Sequence, residues 1–150
     1  MTDLRLAELT NDNLPALLAL ELKAGQEKFV APVVRSIAEA YANPTAWPRA
    51  IVDGDEVVGF VMANFDREQE VEAFQCGIWR LNVAGSAQGR GVGRFAVEQV
   101  IREAKARRFD RVTVLWVPGE GGPEGFYLKC GFEPTGEELF GEVVGALSLT

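Results

Sequence analysis

Gln88-Gly89-Arg90-Gly91-Val92-Gly93 stands between an apolar run, Phe74 to Val83, and an amphipathic segment that begins near Arg90. The run reads as a strand and the segment as a helix, which makes the hexapeptide a glycine-rich turn between them. Glycines permit positive φ and let the backbone approach a ligand, while the first helical turn offers unpaired N–H groups and a partial positive charge. Strand, turn and helix together predict a cradle for a pyrophosphate. The spacing excludes the dinucleotide fingerprint G-x-G-x-x-G and the phosphate loop G-x-x-x-x-G-K-[ST]. What remains is Q-x-x-G-x-G, carried by Gln88, Gly91 and Gly93.

Upstream of this turn the central strand is read from Glu72 or Phe74 to Val83, and its apolar residues change parity. Phe74, Cys76 and Ile78 share one face, whereas Trp79, Leu81 and Val83 share the other. Either a bulge lies between Ile78 and Trp79, or the strand is buried on both faces. Before it, Trp47 to Val52 and Val57 to Asn64 read as strands joined at Asp53-Gly54-Asp55-Glu56, a hairpin signal. A short first strand carries Leu4 and Leu6; Asn11 or Asp12 then caps a helix with Leu14, Leu17, Leu18 and Glu21. Val33, Val34, Ile37, Ala38 and Tyr41 fall at helical spacing, and Asn43-Pro44 stops that helix.

Downstream, Val92, Phe95, Ala96, Val100 and Ala104 form one stripe of a helix running to Arg107, with Glu98 and Arg102 as a surface i, i+4 pair. Arg111 to Val117 is the next strand. A strand–helix–strand passage of this kind implies a parallel, right-handed crossover. The glycine- and proline-rich stretch Pro118 to Pro123 follows, and Val143, Ala146, Leu147 and Leu149 suggest a last strand.

A chain of 150 residues with 47% hydrophobic content buries one sizeable core and is too short for two typical domains, so residues 1–150 are expected to form a single domain. The formal net charge of −7 disfavours nucleic acid or an anionic membrane as partner and suits a cationic substrate such as an amine. Met1-Thr2-Asp3-Leu4-Arg5 lacks the apolar stretch of a signal peptide, and no apolar run reaches membrane-spanning length, so a cytoplasmic location is expected. Cys76 and Cys130 are too few for a disulfide scaffold and lack zinc-ligand spacing. The chain has no histidine, which removes His-based triads and most zinc or iron hydrolase designs. No metal is expected, and acid–base work falls to carboxylates, Tyr, Lys, Cys or water.

Q-x-x-G-x-G is the pattern of the acetyl-coenzyme A loop in the GNAT superfamily of N-acetyltransferases, which the chain resembles at these residues. Phe126-Tyr127-Leu128-Lys129-Cys130-Gly131-Phe132 resembles the aromatic-Tyr-x-Lys-x-Gly-Phe signature of the same superfamily, in the same order along the chain. Gln26-Glu27-Lys28-Phe29-Val30-Ala31, followed by Ser36, Ala38, Ala40 and Tyr41, looks like the branch that acetylates spermine and spermidine. The resemblance implies an α/β (α+β) fold, a mixed and largely antiparallel twisted sheet of about six to seven strands flanked by about four helices. The central and fifth strands of that sheet part to admit acetyl-CoA as co-substrate.

The implied reaction is acetyl transfer to a primary amine, a polyamine first, with an aminoglycoside, an amino acid or a protein N-terminus behind it. The amine must lose a proton, the oxyanion must be stabilised and the departing thiolate takes a proton. The resemblance places backbone N–H groups for the oxyanion and the pantetheine arm at Leu81, Asn82 and Val83, and the phosphates at Gln88, Gly89, Arg90, Gly91, Val92, Gly93 and Arg94. Tyr127 occupies the position of the acid that protonates the leaving sulfur; otherwise Phe126, Tyr127 and Phe132 are aromatic core. Glu72, or a water held by backbone carbonyls, is the candidate base, the alternative for Glu72 being a solvated surface residue. Glu21, Glu27 and Glu39 lie where the resemblance puts the acceptor. Glu120 replaces an asparagine common in the family, which puts one coenzyme A contact in doubt.

Direct transfer in a ternary complex is expected, because neither cysteine has an evident base to make it a thiolate. A homodimer is compatible with the resemblance; Val143 to Leu149 either contributes to it or fills the core. From a different class, a coenzyme A-binding regulatory or interaction module would keep the loop and lose efficient catalysis.

Overall fold

Asp53-Gly54-Asp55-Glu56 makes the turn that the sequence predicts. In the computed structural model, which describes residues 3–150, strands β2 (Ala46–Asp53) and β3 (Glu56–Phe65) pair antiparallel with Asp53 opposite Glu56, and Gly54 takes a φ of 62°. Met1 and Thr2, the start of the segment read for a signal peptide, lie outside the described residues. Around this hairpin stand β1 (Leu4–Ala7), β4 (Cys76–Val83), β5 (Arg111–Trp116), β6 (Glu133–Leu139) and β7 (Glu142–Ser148). The sheet runs in the order β1-β2-β3-β4-β5-β7-β6, antiparallel throughout except for the β4–β5 pair.

The helices are α1 (Leu14–Leu18), α2 (Val33–Ala42), α3 (Val92–Ala106) and α4 (Glu124–Lys129). Alternation along the strands splits the core between the two faces. Val61, Ala63 and Ile78 pack with Val92, Ala96, Val97 and Val100 of α3, whereas Phe60 and Met62 pack with Leu17 of α1 and Val33 of α2. Each of these residues is at most 6% exposed, so both faces of the central strands are closed to water.

The parity change in the central strand is a bulge. Met62 of β3 faces Arg80 and Ala63 faces Ile78, which leaves Trp79 as the extra residue. Ile78 thereby joins the α3 face and Trp79 the α2 face. The strand is shorter at its start than the sequence suggested, for Glu72–Phe74 is a single 3-10 turn and β4 begins at Cys76. Side chains hold that turn out of the ladder: Asn64 Nδ2 donates to the Phe74 carbonyl at 2.9 Å, and Gln75 Nε2 to the Gln69 carbonyl at 2.8 Å.

The first helix is also shorter than expected. Its cap is Asn13, whose Oδ1 accepts from the Thr10 N–H at 2.9 Å while Thr10 Oγ1 accepts from the Asn13 N–H at 3.2 Å. It ends at Leu18, and the Glu21 carbonyl, beyond it, accepts from the Gly85 N–H at 2.7 Å. On α3 the ion pair that forms is Arg107–Glu103 at 2.8 Å, one turn beyond the Glu98–Arg102 pair expected. The final apolar strand, β7, lies between β5 and β6, so its edges are paired within the chain and Val144 is fully buried.

Candidate active site

Glycine brings β4 and β5 together and the bulge then separates them. Their parallel pairing consists of Gly77 opposite Thr113 and Ile78 opposite Val114. A Cβ on Gly77 would lie 2.5 Å from Thr113 Oγ1, so only glycine admits this approach. Past the bulge the strands diverge around a cleft of about 1360 Å³. Arg80, Leu81 and Val83 of β4 line one wall and Leu115, Trp116 and Val117 the other. Ladder groups that would have paired β4 to β5 are left facing this space.

The glycine-rich turn closes one end. Gly89 and Gly91 have φ of 83° and 81°, and an added Cβ at either would meet nothing within 4 Å. These two are therefore glycines for their backbone conformation, with open space above them. Gly93 serves packing instead: its Cβ would approach the Phe126 ring at 3.0 Å, where α3 meets α4. Gly91 caps α3 without any side-chain hydrogen bond, and the first intrahelical N–H bond comes from Phe95, to the Gly91 carbonyl at 2.9 Å. The N–H groups of Val92, Gly93 and Arg94 are thus free for an anion, and all three residues line the cleft.

Gln88 acts as a fastener. Its amide and that of Gln26 exchange hydrogen bonds at 3.0 and 2.7 Å, and Gln88 Nε2 also donates to the Val83 carbonyl at 3.1 Å. One side chain joins the end of β4, the turn and the segment before α2. Arg90 is directed away from the cleft, toward Asp53 at 3.8 Å, while Arg94 lines it. Asn82 is buried and does not line the cleft; its Nδ2 holds the Ala31 carbonyl at 3.1 Å, which ties β4 to the start of α2.

Tyr127 belongs to the aromatic core and also borders the cleft. It is buried, stacked on Trp116 at 5.8 Å and edge-on to Phe126 and Phe132 at 5.1 and 5.8 Å, yet it lines the cleft. Its phenol makes no hydrogen bond among the described residues, and burial pushes its pKa above the ordinary phenol value, which keeps the proton on oxygen. Trp116 is fixed in turn by its Nε1–H to Glu124 Oε2 at 2.9 Å and by Gly145, which leaves no room for a Cβ beneath the indole. Neither cysteine lines the cleft. Burial pushes the Cys76 thiol up to about 12 and raises that of Cys130, so both remain thiols.

The far end of the cleft is built from side chains. Arg80, 13% exposed, donates to Glu39 Oε1 at 2.9 Å, and Arg35 approaches the same oxygen at 3.6 Å. Burial draws the Arg80 pKa down and Glu39 opposes it. Glu142, at the start of β7, faces the same space; burial raises its pKa and Arg80 opposes that. Glu27 stands at the rim, its Oε1 accepting from the Gly25 N–H at 3.3 Å.

Three predicted carboxylates are not brought here. Glu72 sits on the 3-10 turn, its side chain 75% exposed and paired with Arg111 at 3.4 Å, because the strand that was to carry it begins later. Glu21 lies past the end of α1 and does not line the cleft, and Glu120 is solvent-exposed. The Gly119–Gly122 stretch has a different role: a Cβ on Gly122 would lie 2.9 Å from Phe29, whose ring reaches across to the β5–α4 connection. Arg80, Trp116 and Glu142 escaped the sequence reading as site residues, and Phe29 entered it only within the stretch Gln26 to Ala31. The parity flip was the one signal that pointed at Arg80.

A model of the acetyltransferase (GNAT) family matches residues 7–132. N-acetyltransferase 8F1 of Rattus norvegicus is 28% identical over 138 residues, which are 86% of this chain and 62% of that protein. L-2,4-diaminobutyric acid acetyltransferase of Shouchella clausii is 31% identical over 77 residues, 51% of this chain and 42% of that protein. The chain thus matches less than two thirds of the length of either relative. A Bacillus subtilis acetyltransferase solved in complex with CoA superposes over 100% of both chains with a TM-score of 0.70 at 23% identity, a likeness of fold.

Proposed function

Because the chain belongs to the GNAT acetyltransferase family, we propose that it moves the acetyl group of acetyl-CoA to a primary amine of a small cationic molecule, a polyamine or related diamine. The observation that carries this reading is one continuous cleft with free helix N–H groups at one end and carboxylates at the other. The residues present fit acetyl-CoA: open glycines for the diphosphate, the unpaired margin of β4 at Leu81 and Val83 for the pantetheine arm, and the Tyr127 phenol for the sulfur. Glu27, Glu39, Asp66 and Glu142 outnumber Lys28, Arg35 and Arg80 by one in the rest of the cleft, which favours a cation there. Residues 1–150 act as one catalytic unit in this reading, in the cytoplasm, with both cysteines reduced.

Transfer is direct, within a ternary complex. Both thiols are protonated and outside the cleft, so neither takes up the acetyl group. Tyr127 supplies the proton with which sulfur departs. A diamino acid is the second acceptor reading, favoured by Arg35 and Arg80, whose guanidiniums suit a substrate carboxylate; the relative from Shouchella clausii is named for such a substrate. Calorimetry with acetyl-CoA and thiol release across polyamines, diamines and diamino acids test the reading. Binding without acceleration by any amine would overturn the enzymatic part, and no binding would overturn all of it.

A further inference from the structure

We propose that Glu142 is the general base that deprotonates the acceptor amine. The inference rests on the acetyl-transfer reading above and assigns the step that it leaves without a residue.

The cleft's carboxylates differ in how much is already asked of them. Glu39 is held between Arg80 and Arg35, at 2.9 and 3.6 Å. Asp66 accepts from the Glu68 N–H at 3.0 Å, and Glu27 stands exposed at the rim with the Gly25 N–H on its Oε1. The side chain of Glu142 has neither a hydrogen bond nor an ion pair among the described residues, and it is half-buried. A base must have its lone pairs free for the proton that it takes.

Register gives Glu142 its orientation. Val143 pairs with Trp116, and Trp116 stacks on Tyr127 in the α3 face of the sheet. Strand alternation puts the preceding residue on the opposite face, where α2 brings Glu39 to Arg80. The splay of β4 and β5 is thus flanked by an acid from one face and a free carboxylate from the other. An acyl group lying in the splay meets the sulfur's proton donor on the α3 side and the incoming amine on the α2 side.

The charged groups that face Glu142 are Arg80 from β4 and, beyond it, Glu39 and Arg35 from α2; β6 sets the uncharged Leu139 opposite it. Lys28, Glu27 and Asp66 complete the cleft's charges on that side. Burial makes the Glu142 carboxylate a stronger base than an exposed one, and Arg80 opposes that shift.

The carboxylate of Glu142 takes one proton from the acceptor's ammonium. The freed nitrogen pair forms the C–N bond to the acetyl carbon, the C–S bond breaks, and sulfur leaves as a thiol with the Tyr127 proton. The second proton lost by nitrogen refills the phenolate, and Glu142 releases its own to water. One proton is released per turnover.

The test is Glu142→Gln in the full chain, with Glu39→Gln beside it and two acceptors: an ordinary alkylamine and an amine of low basicity that is already neutral in the assay. We expect Glu142→Gln to lower kcat for the ordinary amine by roughly 10²- to 10⁴-fold, to move the acidic limb of the pH profile of kcat/KM up to the ionisation of the amine itself, and to leave acetyl-CoA binding by calorimetry unchanged. For the weakly basic amine the loss should shrink to within about tenfold, because no proton needs removal. Glu39→Gln should raise KM and keep the limb at its wild-type position. An acidic limb that stays at its wild-type position in Glu142→Gln, or equal losses for both amines, would overturn the proposal while the acetyl-transfer reading stood. A wild-type protein that releases no thiol with any amine would bring both down.

Discussion

The two ends of the cleft are made of different material. The end proposed for the phosphates is backbone, with Gly89 and Gly91 at positive φ and the first turn of α3 without a side-chain cap, all within one short run of sequence. The end proposed for the acceptor is side chains gathered from afar: Arg80 meets Glu39 across 41 positions of sequence, and Glu142 arrives from the far side of β5. A backbone site is set by which residues permit a conformation. A side-chain site is set by which residues the topology happens to bring together, and it is free to vary while the sheet stays the same. Tyr127 stands between the two, and replacing its hydroxyl is the strongest way to separate them. Tyr127→Phe keeps the ring stack on Trp116, so acetyl-CoA affinity should hold while kcat falls by roughly 10²- to 10⁴-fold. Because the phenol is raised above its ordinary range, the wild-type rate should show no alkaline loss from Tyr127 near the pKa of a free phenol. A Tyr127→Phe enzyme with full kcat would make the residue aromatic core and nothing more.

Breaking the backbone end should do the reverse. Gly91→Val forces a β-branched residue to φ of 81° where space is not limiting; a left-handed conformation costs about 1–2 kcal/mol. Acetyl-CoA binding should weaken roughly five- to thirtyfold by calorimetry, with the saturated rate changed little. Gly91→Asn, whose side chain tolerates that conformation better, should weaken it less. Equal losses for Val and Asn would show that the site depends on the missing side chain and not on the backbone.

The same contrast governs what the sequence could reveal. The hairpin and the stripe of α3 were readable because each is written in local spacing, Asp53-Gly54 and the apolar repeat from Val92, whereas the parity change left two readings open until the register placed an extra residue at Trp79. The glycine turn's place between strand and helix was readable for the same reason. Glu72 misled because the apolar run overshoots the strand; Asn64 and Gln75 take its first residues into a turn. Glu120 drew attention as a departure, whereas the neighbour with a structural reason is Gly122, under Phe29. Arg80, Glu39 and Glu142 carry no local pattern. Their meeting depends on the order of strands in the sheet, which periodicity does not encode.

The Gln26–Gln88 pair is where the two ends touch, and it predicts a smaller effect. Gln26→Leu leaves one donor and one acceptor of the Gln88 amide without their partner, a loss of about 1–3 kcal/mol shared between stability and the placement of both segments. We expect acetyl-CoA affinity to fall a few-fold and the KM for the amine to rise with it. If only the cofactor term moves, the two ends are independent and the pair is merely a fastener of the turn.

The smallest effect concerns stability, and it follows from the sign of the Glu142 shift. Burial raises its pKa in the folded protein above the unfolded value, so the contribution that favours folding is present below the unfolded pKa and is lost as pH rises through the folded pKa. At neutral pH the wild-type protein therefore holds a carboxylate that would be better solvated in the unfolded chain. Glu142→Gln is uncharged at every pH and should unfold at a slightly higher temperature than wild type near neutrality, by a degree or so, with the difference fading once the wild-type carboxyl is protonated in acid. A variant slowed at transfer would then be the more stable one, as expected where a charge is kept partly buried for its chemistry. At the phosphate end no such gain is available, because Gly91 is already the residue that the fold prefers there. A Glu142→Gln protein less stable than wild type at neutral pH would mean that the attraction of Arg80 outweighs burial, and that Glu142 is a structural ion-pair partner with a proton held too weakly to serve as a base.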